Sequence, residues 1–153
     1  MYDVQRMAKI DKSLYLNDAE IDRLMTTETR CRIATIGPGE HINLTPMTFG
    51  WAAGKVYLFA RGQKIANLRK DPRTTIEVDV GNAWRELKGV MLQGTAQVLE
   101  DAEAERADPS LTEAMQNISA KHGRPFTASA AGRSRRWIVF TPTRKVSWNN
   151  EKL

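Results

Sequence analysis

The residues best suited to bind an anion lie where a predicted strand meets a predicted helix. In the segment Ala60-Arg61-Gly62-Gln63-Lys64 a glycine turn joins the two elements and two cations flank the first helical turn. Free N–H groups and a partial positive charge at a helix N-terminus stabilise phosphate. Arginine binds phosphate oxygens in a bidentate manner, and lysine adds a compact charge. We therefore predict a phosphate site at Arg61 and Lys64, although a solvated basic turn fits the same pattern.

A second candidate is the segment Thr45-Pro46-Met47-Thr48, which interrupts a predicted strand with proline. Proline has no N–H to donate to a neighbouring strand, so one edge of this strand stays unpaired. Unpaired backbone groups and the hydroxyls of Thr45 and Thr48 suit the polar edge of a flat ring system such as a flavin. A proline that protects an edge strand from aggregation fits the pattern equally well.

The sequence offers little for metal or hydrolytic chemistry. His41 and His122 are the two histidines, and they are far apart without cysteine or carboxylate companions at ligand spacing. There is no Gly-x-Ser-x-Gly elbow, and Cys31 lies in an apolar strand pattern typical of a buried small residue. The turn Gly37-Pro38-Gly39 lacks the third glycine and the following helix of a dinucleotide-binding fingerprint. We therefore predict no metal site and no catalytic side chain.

Composition and charge are those of a globular protein. The chain has 153 residues, 41% hydrophobic and 27% charged, which predicts one domain over residues 1–153. A net charge of +5 and a pI near 9.6 favour anionic partners such as a cofactor phosphate, an acidic metabolite or nucleic acid. The one cysteine indicates a reducing compartment. No stretch has the pattern of a signal peptide or a membrane span, so we expect a cytoplasmic protein with no membrane partner.

Hydrophobic alternation and turn residues divide the chain into seven predicted strands and a few short helices. Residues 1–30 form a helical lead-in with a helix from about Asn17, a second helix covers 63–70, and helical pattern interrupted near Pro109 runs from 100 to 120. The first three strands form a meander, and residues 121–134 form an exposed loop. Such short strands predict a closed or nearly closed antiparallel barrel, because closure removes unpaired edges. The predicted strands are 31–36, 41–50, 55–60, 75–80, 87–99, 135–141 and 145–148.

The order of these segments resembles the FMN-binding split barrels of the pyridoxamine 5'-phosphate oxidase-like superfamily, particularly the small members assigned as F420-dependent. The resemblance runs from about Ile21 to Trp148, and its most specific element is the string Lys-x-x-Asn-Leu-x-x-Asp-Pro after a strand. The matching segments are Arg32-Ile33-Ala34-Thr35-Ile36-Gly37, Leu44-Thr45-Pro46-Met47, Gly54-Lys55-Val56-Tyr57, Lys64-Ile65-Ala66-Asn67-Leu68-Arg69-Lys70-Asp71-Pro72-Arg73 and Gly89-Val90-Met91-Leu92-Gln93-Gly94-Thr95-Ala96.

The resemblance implies a mainly β, homodimeric split barrel that holds FMN or F420 between the subunits and transfers a hydride to or from a small substrate. Arg61 and Lys64 match the phosphate positions, and Ala60 matches a backbone contact near the ribityl chain. Gly89 stands where related oxidases place a glutamine toward the ring, and Trp148 with Asn149 matches the segment that reaches the partner's cofactor. The implied cofactor-binding residues are Thr45, Pro46, Met47, Thr48, Ala60, Arg61, Lys64, Gly89, Trp148 and Asn149.

Two departures and two alternatives limit the predicted function. Residues 145–153 contain no histidine, whereas vitamin B6 oxidation and haem degradation in related proteins use a C-terminal histidine region. A flavin-binding carrier or stress protein without turnover remains an alternative. A basic β-barrel that binds single-stranded nucleic acid is another, because Arg133, Arg135 and Arg136 lie next to Trp137. The main prediction has no nucleic-acid partner, and the residues do not distinguish FMN from F420.

Overall fold

The computed structural model of the protein describes residues 10–129 and 134–153. Within these residues the chain forms one seven-stranded antiparallel sheet and four α-helices, joined by turns and short 3-10 segments. The strands are β1 (Arg30–Ile36), β2 (Ile42–Thr48), β3 (Gly50–Ala52), β4 (Lys55–Ala60), β5 (Arg73–Val80), β6 (Lys88–Leu99) and β7 (Arg136–Asn149). The helices are α1 (Asp18–Thr27), α2 (Gln63–Lys70), α3 (Ala102–Ala107) and α4 (Leu111–His122).

The sheet must curl because its two edge strands are neighbours in the chain. The strand order is β2-β1-β5-β6-β7-β4-β3, and only Phe49 separates β2 from β3. The last residue of β2 and the first of β3 are two Cα–Cα steps apart, at most about 7 Å, so the opposite edges of the sheet meet at Phe49. The result is the predicted split β-barrel, whose interior is filled by alternate side chains of the strands. These buried side chains include Ile33, Val56, Leu58, Ile76, Val78, Val90, Leu92, Ile138 and Phe140.

The predicted meander of three strands is wrong. The segment 41–50 is two strands rather than one, and β2 pairs with β1 while β3 pairs with β4. The strand is interrupted at Phe49, whose side chain is buried at the junction of β2 and β3. At Gly50 a Cβ atom would lie 2.6 Å from the carbonyl oxygen of Ala114, so the glycine lets α4 pack directly on the sheet. This contact joins residues far apart in the chain, and no local pattern announces it.

The last two predicted strands are also one strand in the structure. β7 runs without a break from Arg136 to Asn149, with a register shift opposite Gln93 and Gly94. A Cβ atom on Gly94 would lie 2.1 Å from the carbonyl oxygen of Thr141, so only glycine fits beneath this irregularity. Pro142 is therefore accommodated at a β-bulge instead of ending the strand, which is where proline is tolerated within sheets.

Helices cover one outer side of the barrel. α4 packs on β3 and β4, and α3 packs on β6. With side chains of β7 they form a second apolar cluster outside the barrel, made of Ala52, Tyr57, Leu99, Leu111, Ala114, Ile118, Trp137 and Val139. On the other outer side the outward side chains of β2, β1, β5 and β6 are exposed or half-buried. We call this surface the open face. Cross-strand pairs place on it Ile42, Leu44, Pro46, Arg32, Ala34, Glu77 and Met91.

The segment 121–134 is not entirely a loop. α4 continues through His122, and Lys121 and His122 are half-buried, because Ile118 and Ala114 press this helix against the sheet. Residues 1–9 of the predicted lead-in lie outside the described residues, as do residues 130–133 of the predicted loop, including Arg133 of the basic cluster. Among the described helices, none combines the length and apolar character needed to cross a membrane.

Candidate functional site

Strand β2 and the first turn of α2 are related through Thr35 of β1, and we call the region between them the β2–α2 groove. Strands β3 and β4 are antiparallel, and Gly50 pairs with Tyr57. Followed from Gly50 toward the N-terminus, β2 therefore extends in the same direction as β4 does on its way from Tyr57 to Ala60. At the far end, Asn67 of α2 donates a hydrogen bond from Nδ2 to Oγ1 of Thr35, at 3.0 Å. Thr35 is on β1, directly beside β2. These contacts place α2 beside β1, the strand that pairs with β2.

The N-terminus of α2 is open. Gly62 has a φ of 82° at the N-cap, a conformation that favours glycine, and no side chain caps the helix there. A Cβ atom at Gly62 would meet nothing within 4 Å, so space lies in front of the first turn. Arg61 is exposed and Lys64 is half-buried, and neither forms an ion pair within the described residues. The first N–H groups of a helix need outside partners, so this end is suited to an anion.

Two buried polar atoms of β2 have no hydrogen-bond partner in the described structure. They are Oδ1 of Asn43 and Oγ1 of Thr45, which alternate with the exposed Ile42 and Leu44. An unsatisfied buried polar group costs about 1–3 kcal/mol, so a ligand that bonds these atoms would recover that energy. Asn43 is absent from the residues predicted from the sequence. A sequence pattern that could have identified Asn43 was present: the polar residues Asn43 and Thr45 share the inner side of this strand, and the apolar residues Ile42 and Leu44 share its outer side.

A chain of hydrogen bonds holds the start of α2 against β1. Gln63 donates from Nε2 to Oδ1 of Asn67 at 2.7 Å, and Asn67 in turn donates to Thr35. Asn67 is 2% exposed, and Thr35 pairs with Asn43 across the strands. The asparagine of the most specific sequence motif therefore orients α2, and it does so one turn after Lys64. The network thus links the first turn of α2, at Gln63, to β1 at Thr35.

The four predicted residues of β2 point in different directions. Thr45 and Met47 face the barrel side, where Met47 packs against the core, whereas Pro46 and Thr48 are exposed on the other side. Thr45 and Pro46 both line a cavity of about 440 Å³ that also includes Arg30, Arg32 and Asp79. Ala60 is buried at the end of β4, so its backbone is the part of it that a ligand can reach.

Gly89, Trp148 and Asn149 lie away from β2 within the sheet of their own chain. They lie on β6 and β7, which β1 and β5 separate from β2 in the sheet. Gly89 pairs with Trp148, and a Cβ atom on it would lie 2.6 Å from the indole, so the glycine makes room for the tryptophan. Asn149 is buried, and its Oδ1 accepts a hydrogen bond from the N–H of Glu151 at 3.0 Å. That side chain therefore caps the turn formed by residues 150–152.

A charged cluster on the open face adjoins the cavity beside Pro46. Nη1 of Arg32 lies 2.8 Å from Oδ1 of Asp79 and 3.6 Å from Oε2 of Glu77. Burial, together with the neighbouring Asp79, raises the pKa of Glu77 to about 7 against the opposing effect of Arg32. Sequence patterns did not single out this cluster, because alternating residues of a strand acquire such neighbours only when the strands pair.

Three residues considered for other chemistry are buried or half-buried. Cys31 is in the core, and burial raises the pKa of its thiol to about 12, so it is protonated at neutral pH. Trp137 is 0% exposed and donates from Nε1 to the carbonyl oxygen of Ala128, so it offers no surface for base stacking. His122 is half-buried with Nε2 unpaired. Residues 10–129 and 134–153 contain no group of three or more His, Cys, Asp or Glu side chains placed to hold a metal.

A curled seven-stranded antiparallel sheet whose edge strands meet beside a polar groove defines the class of split β-barrels. The chain belongs to the pyridoxamine 5'-phosphate oxidase family, because the family model of that description matches residues 18–149. The match confirms the family resemblance that the motifs indicated. It covers all seven strands and both sides of the β2–α2 groove.

Solved structures share the fold over nearly the whole chain. A conserved hypothetical protein from Mycobacterium tuberculosis has a TM-score of 0.79 and 25% identity, over 95% of this chain and 92% of its own. A FAD-binding protein from Mesorhizobium loti has a TM-score of 0.66 and 19% identity, with coverages of 86% and 94%. A structure described as F420 reductase has a TM-score of 0.60 and 18% identity, with coverages of 82% and 94%. A haem storage protein from Vibrio cholerae and a haem-binding protein from Mycobacterium smegmatis also share the fold.

The comparison with curated protein sequences found no match to this chain.

Proposed function

We propose that the protein is an oxidoreductase that binds a flavin-type cofactor, FMN or F420, in the β2–α2 groove. The observation that carries the proposal is the pair of unsatisfied buried atoms, Asn43 Oδ1 and Thr45 Oγ1, beside a helix N-terminus that is open and basic. Hydrogen-bonding atoms at one side of a groove and a cationic end at the other suit a ligand with a polar body and a phosphate. Membership of the family supports this class of cofactor.

The residues of the groove fit such a group. The first N–H groups of α2, together with Arg61 and Lys64, would hold the phosphate. Thr45 and Asn43 would bond the polar chain or the ring edge, and the free backbone edge of β2 beside Pro46 would lie along the ring. When bound, a flavin or deazaflavin supplies the hydride chemistry, whereas the protein supplies binding, orientation and shelter from water. No acid or base among the side chains is required by this proposal.

A homodimer would complete the site. Ile42 is 65% exposed and Leu44 is 63% exposed, next to each other on the open face. Large exposed apolar side chains that lie together mark interaction surfaces. If two copies join through their open faces, the Gly89–Trp148 pair of one subunit approaches the groove of the other. This arrangement would give Gly89, Trp148 and Asn149 the cofactor contacts that a single chain does not give them.

The proposal is tested by replacing the lysine at the open helix end. We expect Lys64→Ala to weaken binding of FMN and of F420 by roughly 10- to 100-fold, because a hydrogen bond to a charged group contributes about 1.5–3 kcal/mol. Fluorescence titration of each cofactor against wild type and variant measures the change, and the wild-type affinities show which of the two is preferred. Lys70→Ala, at the other end of the same helix, is the matched control and should bind as wild type does.

Unchanged cofactor affinity of a folded Lys64→Ala protein would contradict the phosphate site.

Turnover then separates an enzyme from a flavin-binding carrier or stress protein. We expect the loaded protein to exchange a hydride with a reductant or small substrate, which stopped-flow absorbance of the cofactor would record. A cofactor that stays bound and unreacted with every reductant tried would favour the carrier.

A further inference from the structure

We propose that Lys121 of α4 is a positioning residue for strand β2, and that a proton on its amine strengthens cofactor binding by fixing Phe49. The inference rests on the proposed function, because β2 matters here as the strand that borders the cofactor. It assigns to α4, a helix outside the barrel, control over the position of a strand that α4 does not cover.

Phe49 is the residue at which the barrel closes, and Lys121 contacts it twice. Nζ of Lys121 donates a hydrogen bond to the carbonyl oxygen of Phe49 at 3.1 Å. The same nitrogen lies 3.5 Å from the centroid of the Phe49 ring, the arrangement of a cation–π interaction. Because Phe49 links β2 to β3, any movement of this residue shifts the adjacent end of β2.

On the β3 side of the junction, α4 makes its contacts through neutral backbone and amide groups, and the indole of Trp51 donates separately from Nε1 to Oδ1 of Asp22 on α1 at 2.8 Å. Gly50 packs against the backbone of Ala114, and the N–H of Trp51 donates to Oδ1 of Asn117 at 2.9 Å. Asn117 also donates from Nδ2 to the carbonyl oxygen of Thr26 at 3.2 Å, which ties α4 to the end of α1. These contacts do not change with pH near neutrality. On the β2 side, by contrast, Phe49 is held by the amine of Lys121, which is a titratable group.

The surroundings of Lys121 decide when it carries a proton. Burial lowers the pKa of its amine to about 7, while Cys31 of β1 and Glu28, just after α1, oppose the shift. The thiol of Cys31 is neutral near pH 7, so Glu28 is the facing charge. His122 follows on the same helix with Nε2 buried and unpaired, and the β2 residues next to Phe49 are uncharged.

Protonation therefore changes the contact in the physiological range. Below pH 7 an ammonium group faces the ring and donates a charge-assisted hydrogen bond to the carbonyl. Above pH 7 the neutral amine keeps a weaker hydrogen bond and loses the cation–π attraction. We expect Phe49 and the adjacent end of β2 to become less restrained as the pH rises, and cofactor affinity to fall with it.

The test compares wild type with Lys121→Met, which keeps the length of the side chain and removes the charge. Cofactor affinity of both proteins is measured by fluorescence titration from pH 6 to pH 9, and their ratio at each pH cancels the titration of the cofactor phosphate. We expect wild type to bind 3- to 10-fold more tightly at pH 6 and the ratio to approach one at pH 9. A ratio that stays constant with pH would overturn the proposal, since a purely structural role predicts it. Lys145→Met removes an exposed lysine paired with Asp18 and is the control. The ratio of wild-type affinity to Lys145→Met affinity should not change with pH.

A second readout needs no cofactor. Amide hydrogen exchange of residues 47–51, corrected for the intrinsic pH dependence of exchange, reports how firmly the junction is held. We expect protection in cofactor-free wild type to fall at least 3-fold between pH 6 and pH 9, and to stay constant in Lys121→Met. Equal protection at both pH values in wild type would refute the role of Lys121. If FMN and F420 fail to bind at all, the proposed function is wrong, and the exchange experiment still decides the role of Lys121.

Discussion

Glu77 shows how a side chain on the open face acquires unusual properties from its neighbours. Its Oε1 is buried without a hydrogen-bond partner, and the carboxylate of Asp79 lies two residues further along the same strand. Arg32 on the adjacent strand pairs more closely with Asp79 than with Glu77. Glu77 is therefore partly buried, but it has few of the hydrogen bonds and opposite charges that would stabilise an ionised carboxylate there. This environment favours its protonated form.

This difference predicts a pH-dependent stability. The folded pKa of about 7 exceeds the ordinary value of 4.5, so the folded state binds more protons than the unfolded state between these pH values. The free energy of unfolding should therefore fall as the pH rises from about 4.5 through 7. We expect Glu77→Gln to abolish this pH-dependent loss of stability, which is on the order of 1–2 kcal/mol. A full shift would contribute about 1.4 kcal/mol for each pKa unit, but solvent reaches part of the side chain and weakens the effect.

Urea unfolding at pH 5 and pH 8 measures this effect. Relative to Glu77→Gln, wild type should lose stability between the two pH values. Glu113→Gln, which removes an exposed carboxylate of α4, is the control and should follow wild type. Parallel stability curves for wild type and Glu77→Gln would show that the carboxyl group is ionised in the folded protein like any other.

At the scale of elements, the turn between β3 and β4 carries a residue poorly suited to its backbone. Ala53 has a φ of 52° and Gly54 a φ of 69°, and hairpin turns with two positive φ angles favour Asn-Gly or Asp-Gly. Alanine in the left-handed region costs about 1–2 kcal/mol, whereas asparagine tolerates it better. The glycine at the second position meets this requirement, and the alanine at the first does not.

We therefore expect Ala53→Asn to raise the free energy of unfolding by about 0.5–1 kcal/mol. Thermal or urea denaturation measures the gain. Ala19→Asn, an exposed position of α1 with helical backbone, is the control and should lower stability slightly, because asparagine is a poorer helix former than alanine. A stability loss for Ala53→Asn would mean that the turn does not adopt these angles in solution.

At the scale of the whole molecule, the barrel has one outer side covered by helices and one without such a cover. α3 and α4 bury the outer surfaces of β4 and β7, while the open face exposes Ile42 and Leu44 to solvent. An apolar surface of this kind on a small barrel favours association with another surface. The proposed homodimer uses it, and it would bring the Gly89–Trp148 pair of each subunit toward the groove of the other.

A charge on the open face should prevent this association. We expect Leu44→Lys to convert a dimer into a monomer in sedimentation-velocity experiments, because burying an unpaired ammonium group is costly. Leu153→Lys changes an equally exposed apolar residue at the C-terminal turn and should leave the dimer intact. A dimeric Leu44→Lys protein, or a wild type that is monomeric at high concentration, would contradict the proposed interface.

Much of the local structure follows from the sequence. Alternation and turn residues located β1, β4, β5, β6 and α2 to within about two residues, because these signals act between near neighbours. The motif Lys-x-x-Asn-Leu-x-x-Asp-Pro marked both the family and the helix that borders the groove. The positions of Arg61 and Lys64 beside the start of α2 were predictable for the same reason, since a glycine turn before an amphipathic helix is a local feature.

Contacts between distant parts of the chain were decided by the tertiary structure. The division of one predicted strand at Phe49, the pairing of Gly89 with Trp148 and the contact of Lys121 with the barrel junction all join residues that no local pattern relates. Asn43 became a candidate only when the fold buried its side chain without a partner. Local propensity acts over a few residues, whereas barrel closure and burial depend on which distant surfaces exclude water together.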